Sequence, residues 1–360
     1  MRRQATRNEA GAWRFRGLTL WTRRSKWRLL ALLPLAGLVI GICFLIMIRM
    51  PGKSFSGPLW PLTPAQVTLS HELKRDLSIL AGDIGERNLF LPGTLEKAAE
   101  WIEEDMRSAG FAPTRQVFTV NSDEVCNIAC EVRGSATPEE IVIVGAHYDS
   151  VAGCPGANDN GTGVVATMAL ARRWAAEARS GSPPRRSIRF LFFVNEEPPW
   201  FQNPAQMGSC IYAASCKARD ERIIAMLSLE TIGYYSDRTG SQQYPPPLSL
   251  FYPSEGNFIA FVSNISSRSL LHRCVGTFRA SAQFPSQGAA LPEQLPGVGW
   301  SDQWSFWRQG YQAVMITDTA TFRYPDYHET GDTVDKVDFE RMARVVDGVD
   351  AVVRDLANGE

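Results

Sequence analysis

Apolar positions along this chain follow three rhythms, and each predicts a different kind of element. The first is unbroken. Leu29 to Ile48 runs for twenty residues with no ionisable side chain except Cys43. Twenty helical residues rise about 30 Å, the thickness of a bilayer core, and the run has no polar face to set against a soluble core. It ends Leu45-Ile46-Met47-Ile48-Arg49-Met50-Pro51, without the small residues of a signal cleavage site. A single transmembrane anchor over residues 29–48 is the expectation, with Pro34 near its start tolerated as in other membrane helices.

The second rhythm is helical. It spans Val67 to Leu80, then Thr94 to Ala109, where Leu95, Ala98, Ile102 and Met106 share a face, then Gly163 to Ala178. The third is the short apolar run of a strand. Ile141 to Val144, Ile188 to Val194, Ile223 to Leu229 and Tyr311 to Ile316 read as strands buried on both faces, and Gln116 to Val120 and Ala129 to Val132 as shorter ones. Helices alternating with such strands predict an α/β domain with a mixed, mostly parallel central sheet flanked by helices on both faces. Residues 49–64, rich in Pro, Gly and Ser, read as a linker, and one catalytic domain fills 65–360. Gly240 to Pro247 and Ala280 to Gly299 read as loops near a binding face.

Charge sharpens this division. The formal net charge of the 360 residues is only -1, yet residues 1–28 hold nine Lys or Arg against the single acid Glu9, which leaves the remainder near -9. By the positive-inside rule the basic segment 1–28 lies in the cytoplasm and everything after Met50 on the far side of the membrane. A mildly acidic main domain argues against nucleic acid as a partner and suits a site for divalent cations. Of the seven cysteines, Cys126 with Cys130 and Cys210 with Cys216 are spaced for local bridges in an oxidising compartment; the alternative is that they are plain buried small residues.

The polar residues fall where chemistry is expected. His147 follows the first buried strand, Glu196 and Glu197 follow the second, and Glu230 closes the third. In open α/β sheets ligands bind at the carboxyl ends of strands. A lone histidine there is usually an ordinary hydrogen-bonded residue, but three such placements in succession are not coincidence. Asp159 lies in the Gly-rich stretch Gly156 to Gly163 and has one oxygen for each of two ions. The donors then sort into His147, Asp159 and Glu230 on one zinc ion and Asp159, Glu197 and His328 on the other, a mixed imidazole and carboxylate set that suits Zn2+. Glu196 stays free as general base, and Asp149 is placed to orient the His147 ring.

Four segments carry a family resemblance: Gly145-Ala146-His147-Tyr148-Asp149-Ser150, Pro155-Gly156-Ala157-Asn158-Asp159-Asn160-Gly161-Thr162-Gly163, Asn195-Glu196-Glu197, and Tyr327-His328-Glu329-Thr330-Gly331-Asp332-Thr333. Together they resemble the signatures of the dizinc aminopeptidases, a family that includes leucyl aminopeptidases, glutamate carboxypeptidases and glutaminyl cyclases. The resemblance implies a mixed eight-stranded sheet and two zinc ions. It implies hydrolysis of N-terminal residues from peptides with a free N-terminus. It also implies the same five ligands, with Glu196 as general base, and a cis peptide between Asp159 and Asn160.

Two departures stand out. Glu230 occupies a place that is often Asp, and Gln303 in Ser301-Asp302-Gln303 replaces a common His. The insertion Pro198 to Asn203 resembles a bacterial subgroup and suggests a lining for the substrate pocket. Tyr234 and Tyr327 are candidates for an oxyanion contact or for simple packing, and His71 and His272 are surface or packing residues. A glutaminyl cyclase-like, single-zinc aminoacyltransferase is the alternative activity. A receptor-like, non-catalytic relative is a further one, against which stands the complete ligand set.

Overall fold

The computed structural model describes residues 6–7, 13–15, 18–19 and 23–359, with no side chains described for residues 1–31 and 33. The chain forms two units, Met1–Arg49 and Met50–Glu360. In the first, Thr6–Arg7, Trp13–Phe15 and Leu18–Thr19 pair antiparallel, and α1 covers Arg23–Met47 with Pro34 inside it. Among the described residues no helix is long and apolar enough to cross a membrane. The expected anchor at 29–48 coincides with α1 as far as Met47, with the side chains of 29–31 and 33 outside the described residues, and much of the basic segment 1–28 falls outside them altogether.

The second unit is built on one eight-stranded sheet. Its strands are β1 (Thr114–Val120), β2 (Asp123–Val132), β3 (Thr137–His147), β4 (Arg186–Phe193), β5 (Arg222–Glu230), β6 (Ile259–Ser263), β7 (Ser286–Ala290) and β8 (Ala313–Thr317). They lie in the order β7-β6-β8-β5-β3-β4-β2-β1. The centre β8-β5-β3-β4 is parallel, β6 and β7 are parallel to each other, and antiparallel pairings join β6 to β8 and add β2 and β1 at the other edge. The expected mostly parallel sheet is present.

The helices are α2 (Pro64–Leu77), α3 (Thr94–Ser108), α4 (Gly163–Arg179), α5 (Gly208–Ala218), α6 (Arg268–Ser281), α7 (Gln303–Arg308) and α8 (Phe339–Asn358). Side-chain alternation along the strands divides the core in two. Val142, Val144 and Ala146 of β3, with Phe190, Phe192, Leu227 and Leu229, pack against α2, α3, α4, α6 and α8. On the opposite side Phe193 sets its ring against Tyr212 of α5 and Phe306 of α7.

Several expectations are corrected. α2 begins at Pro64, not Val67, because Thr63 forms a capping box with Gln66 and Pro64 stands at the first helical position. Ala280 to Gly299 is not all loop: Ser286–Ala290 is an edge strand whose Ser-Gln-Gly-Ala-Ala sequence has no apolar alternation to reveal it. The linker is seated on the domain, since Arg279 Nη1 donates to Pro51 O at 2.9 Å and Ser286 N donates to Ser54 Oγ at 2.9 Å. No local disulfide forms, and the six cysteines of the domain are free and buried. Cys126 and Cys130 lie along one strand, where four residues span about 13 Å, beyond the reach of a disulfide.

Candidate metal centre

The carboxyl ends of β3, β4, β5 and β8 meet at one place, because parallel strands point their ends the same way. His147 is the last residue of β3 and is fully buried. Asn195, in the left-handed region at φ 58°, turns the chain after β4 so that Glu196 and Glu197 follow at once. Glu230 ends β5, and His328, also at positive φ, is carried by the loop after β8. Asp159 lies in the irregular turn Ala157–Thr162 ahead of α4, and its peptide bond to Asn160 is cis, as the resemblance implies. That turn presses hard on the sheet: a Cβ on Gly163 would collide with Leu229 O and Asn160 Oδ1.

These five residues come together as two sets that share Asp159. His147 Nε2 lies 3.2 Å from Glu230 Oε2 and 3.5 Å from Asp159 Oδ1. His328 Nε2 lies 3.1 Å from Asp159 Oδ2 and 3.2 Å from Glu197 Oε2. Donor atoms around a tetrahedral ion with bonds of about 2.0–2.1 Å stand roughly 3.3 Å apart. Among the described residues, His147 Nε2, Asp159 Oδ2 and Glu197 Oε1 are buried without a hydrogen-bond partner. His147, Asp159 and Glu197 also converge tightly enough to hold a single ion. Buried, unpartnered and of zinc-binding type, this donor set fits zinc.

The electrostatics point the same way. Burial raises the pKa of Glu196 well above the ordinary carboxylate value, with Glu230 and Glu197 adding to it against the pull of His147. Glu197 and Glu230 are raised as well, chiefly by burial. Burial alone would lower the histidines. Instead Glu230 and Glu196 drive His147 well above its usual value, and the neighbouring carboxylates of Asp159 and Glu197 push His328 up to about 11. Such a pocket carries more negative charge than its own side chains balance, and buried charge is stable only when paired or bound to a cation.

A surrounding layer fixes the donors. Asp149 accepts the backbone N–H of Glu196 at 3.2 Å and of Glu197 at 3.0 Å, and its Oδ1 lies 3.5 Å from His147 Nδ1. Four residues here had no role in the sequence reading. Asp332 accepts the backbone N–H groups of Asn158 and Asp159 at 2.8 and 3.0 Å. Asn160 Nδ2 donates to Leu229 O at 2.8 Å. Ser301 Oγ donates to Glu230 Oε2 at 2.6 Å. Arg87, fully buried, donates to Tyr148 O, Gly85 O, Pro155 O and Gly156 O. Asp332 stood inside a quoted motif, but nothing in spacing revealed that it holds a backbone; Arg87 left no signal at all.

Beside the centre opens an apolar cavity of about 100 Å³, lined by Glu230 at the metal end and by Tyr244, Phe258, Phe261, Ala289 and Met315, among others. Parts of both predicted loops border it, through Gln242, Tyr244 and Pro245 and through Pro296 to Val298. The Pro198 to Asn203 insertion does not. Its Trp200 stacks on Phe90 instead, and Gln202 Nε2 donates to Gly299 O at 3.0 Å. Tyr234 packs on Tyr324, and Tyr327 stacks on His328 with ring centroids 4.0 Å apart while also lining the cavity. Gln303 is buried and donates to Val298 O at 3.1 Å.

Fold and site together define a zinc hydrolase. The chain belongs to peptidase family M28, whose profile matches residues 127–353. It is 33% identical over 298 residues to the uncharacterised Escherichia coli protein YfbL, covering 80% of this chain and 88% of that one. It is 24% identical to a probable aminopeptidase of Saccharomyces cerevisiae over 64% of this chain and 57% of that one. The fold is shared with BSAP, a zinc aminopeptidase from Bacillus subtilis (TM-score 0.64, 16% identity, 81% of this chain and 95% of that one). It is shared too with a Fimbriiglobus ruber glutaminyl cyclase (TM-score 0.59, 18% identity, 85% of this chain and 99% of that one).

Proposed function

We propose that this protein is an aminopeptidase that removes the first residue of peptides with a free N-terminus, using two zinc ions bridged by Asp159. The observation that carries this reading is the division of Asp159, with one oxygen facing His147 and the other facing His328. His147, Asp159 and Glu230 would hold one ion, and Asp159, Glu197 and His328 the other. When bound, zinc polarises a scissile carbonyl and lowers the pKa of a coordinated water towards 7.

The chain's own residues supply the rest. Glu196 Oε2 lies 3.8 Å from His147 Nε2, at the edge of the donor set. It takes a proton from the attacking water and returns it to the leaving amine. Asp149 holds Glu196 and Glu197 at their backbone and keeps His147 Nε2 turned inward. The apolar cavity receives the first side chain of the substrate, and its aromatic and aliphatic lining favours large apolar residues over charged ones.

A glutaminyl cyclase-like reaction on the same scaffold is the second reading, supported by the fold shared with that class. Both donor sets are complete here, which favours hydrolysis. We also infer that Leu29 to Ile48 anchors the protein in a membrane with residues 1–28 cytoplasmic and the peptidase domain beyond it; the run is uncharged, and Leu35, Leu38, Ile40 and Phe44 are exposed. Carbonate extraction of membranes tests this: an anchored protein stays in the pellet, and release into the supernatant refutes it. For the activity, the test is a panel of aminoacyl and N-terminal Gln substrates assayed before and after zinc removal. Release of free amino acids that stops on chelation supports the aminopeptidase; ammonia release from the Gln peptide alone supports the cyclase.

A further inference from the structure

The far wall of the cavity is the edge strand β7, and what lies behind it has no role yet. Gln287, Gly288 and Ala289 line the cavity, Gly288 with its backbone alone, and alternation along β7 turns the side-chain positions of Ser286, Gly288 and Ala290 to the reverse face. On that reverse face there is room for no side chain at Gly288: a Cβ there would stand 2.8 Å from Met50 Cγ and Sδ and 3.1 Å from Val275 Cγ2. Met50 fills the space and packs on the main core. Four residues on, Ser54 Oγ accepts the backbone N–H of Ser286, the first residue of β7, at 2.9 Å. Arg279 ties the same two segments, donating to Pro51 O at 2.9 Å and to Ser286 O at 2.9 Å. An edge strand leaves a row of backbone N–H and C=O groups without a partner strand, and Ser54 and Arg279 bond the first of them, at Ser286.

We propose that the segment 50–54 is a specificity-determining brace: Met50 and Ser54 hold β7 in place as the cavity wall and so set which large apolar first residues the enzyme accepts. The inference rests on the aminopeptidase reading of the cavity. Met50 and Ser54 touch neither the metal donors nor the cavity itself, so they act through β7 as positioning residues. Loosening them moves the wall that contacts a large side chain and leaves the centre that performs the reaction unchanged.

The test uses the full chain with Met50→Ala, Ser54→Ala and the conservative Met50→Leu, assayed on Phe-, Leu- and Ala-terminated substrates, with amide exchange followed across 286–290. KM for the Phe substrate should rise on the order of tenfold in Met50→Ala, as for loss of a contact in an apolar pocket. KM for the Ala substrate, kcat and zinc content should stay as in the wild type, and Met50→Leu should restore the Phe KM. Ser54→Ala should speed exchange at Ser286 and shift KM in the same sense. Unchanged Phe-over-Ala selectivity in both alanine variants, whether or not exchange quickens, overturns the proposal. A fall in kcat on every substrate alike does so too. A wild-type chain that cleaves none of the substrates contradicts the aminopeptidase reading, and the specificity role with it.

Discussion

Asp149 accepts the backbone N–H of Glu197 through Oδ2 at 3.0 Å, so the residue two positions after one histidine donor fixes the carboxylate donor that faces the other. Its second oxygen takes the Glu196 N–H and faces His147 Nδ1. One side chain therefore holds the backbone of both glutamates, while the His147 ring bonds the backbone carbonyl of the same residue, with Nδ1 3.2 Å from Asp149 O. Asp149→Asn keeps the shape but turns an acceptor-only group into one with an N–H2. It is expected to weaken zinc binding about 10- to 100-fold, the usual cost of losing such a partner, as read by competition with a chelating dye. Wild-type zinc affinity in this variant would remove the role assigned to Asp149.

Glu196 and Glu197 are neighbours to which the proposed mechanism gives separate jobs. Glu196→Gln should keep its zinc and lose activity by about 10²- to 10⁴-fold, the range for a general base. Glu197→Gln should lose zinc as well as activity. Atomic absorption on the two purified variants separates them. Equal zinc loss in both would make Glu196 a ligand.

His328 gives a pH dependence of known sign. In the metal-free protein its pKa stands at about 11, raised by Asp159 and Glu197 against the effect of burial. A raised histidine contributes stability fully below its unfolded value of about 6.5 and loses it as pH climbs through the folded value. The metal-free protein should thus lose this contribution between about pH 6.5 and 11. Zinc must displace the proton, so uptake at neutral pH releases protons and the apparent affinity rises with pH. Calorimetry in buffers of different ionisation enthalpy measures that release. Zinc uptake with no proton release at pH 7 would contradict the assignment of His328.

The cavity predicts selectivity. Ala260 of β6 lines it and is buried. Ala260→Phe fills the space and should reduce kcat/KM on Phe- and Leu-terminated substrates by on the order of tenfold or more while sparing Ala-terminated ones. Parallel loss on all three would mean that the cavity does not receive the first side chain.

The parts of this protein legible in its sequence are those where one residue's chemistry or a local rhythm decides the outcome. The central strands β3, β4, β5 and β8 are buried on both faces and announce themselves as apolar runs. The candidate ligands His147, Asp159, Glu197, Glu230 and His328, and Glu196 beside them, stand at strand ends or in glycine-rich turns, and the structure brings all six residues together. Edge strand β7 escaped because an edge needs no apolar pattern. Asp332 and Arg87 escaped for a different reason: each acts on backbone groups far away in sequence, Asp332 on Asp159 and Arg87 on the loops around His147 and Gly156. No spacing rule reaches such partners. The segment 50–54 has linker composition, and only its seating behind β7 gives it another meaning.

The most direct test of the central claim is titration of zinc into the metal-free protein with hydrolysis of a leucyl peptide followed at each addition. Two ions should bind per chain, and free leucine should appear only as they bind. Full hydrolytic activity in protein stripped of zinc, or a single binding event that Glu230→Ala and His328→Ala leave unchanged, would contradict a centre bridged by Asp159.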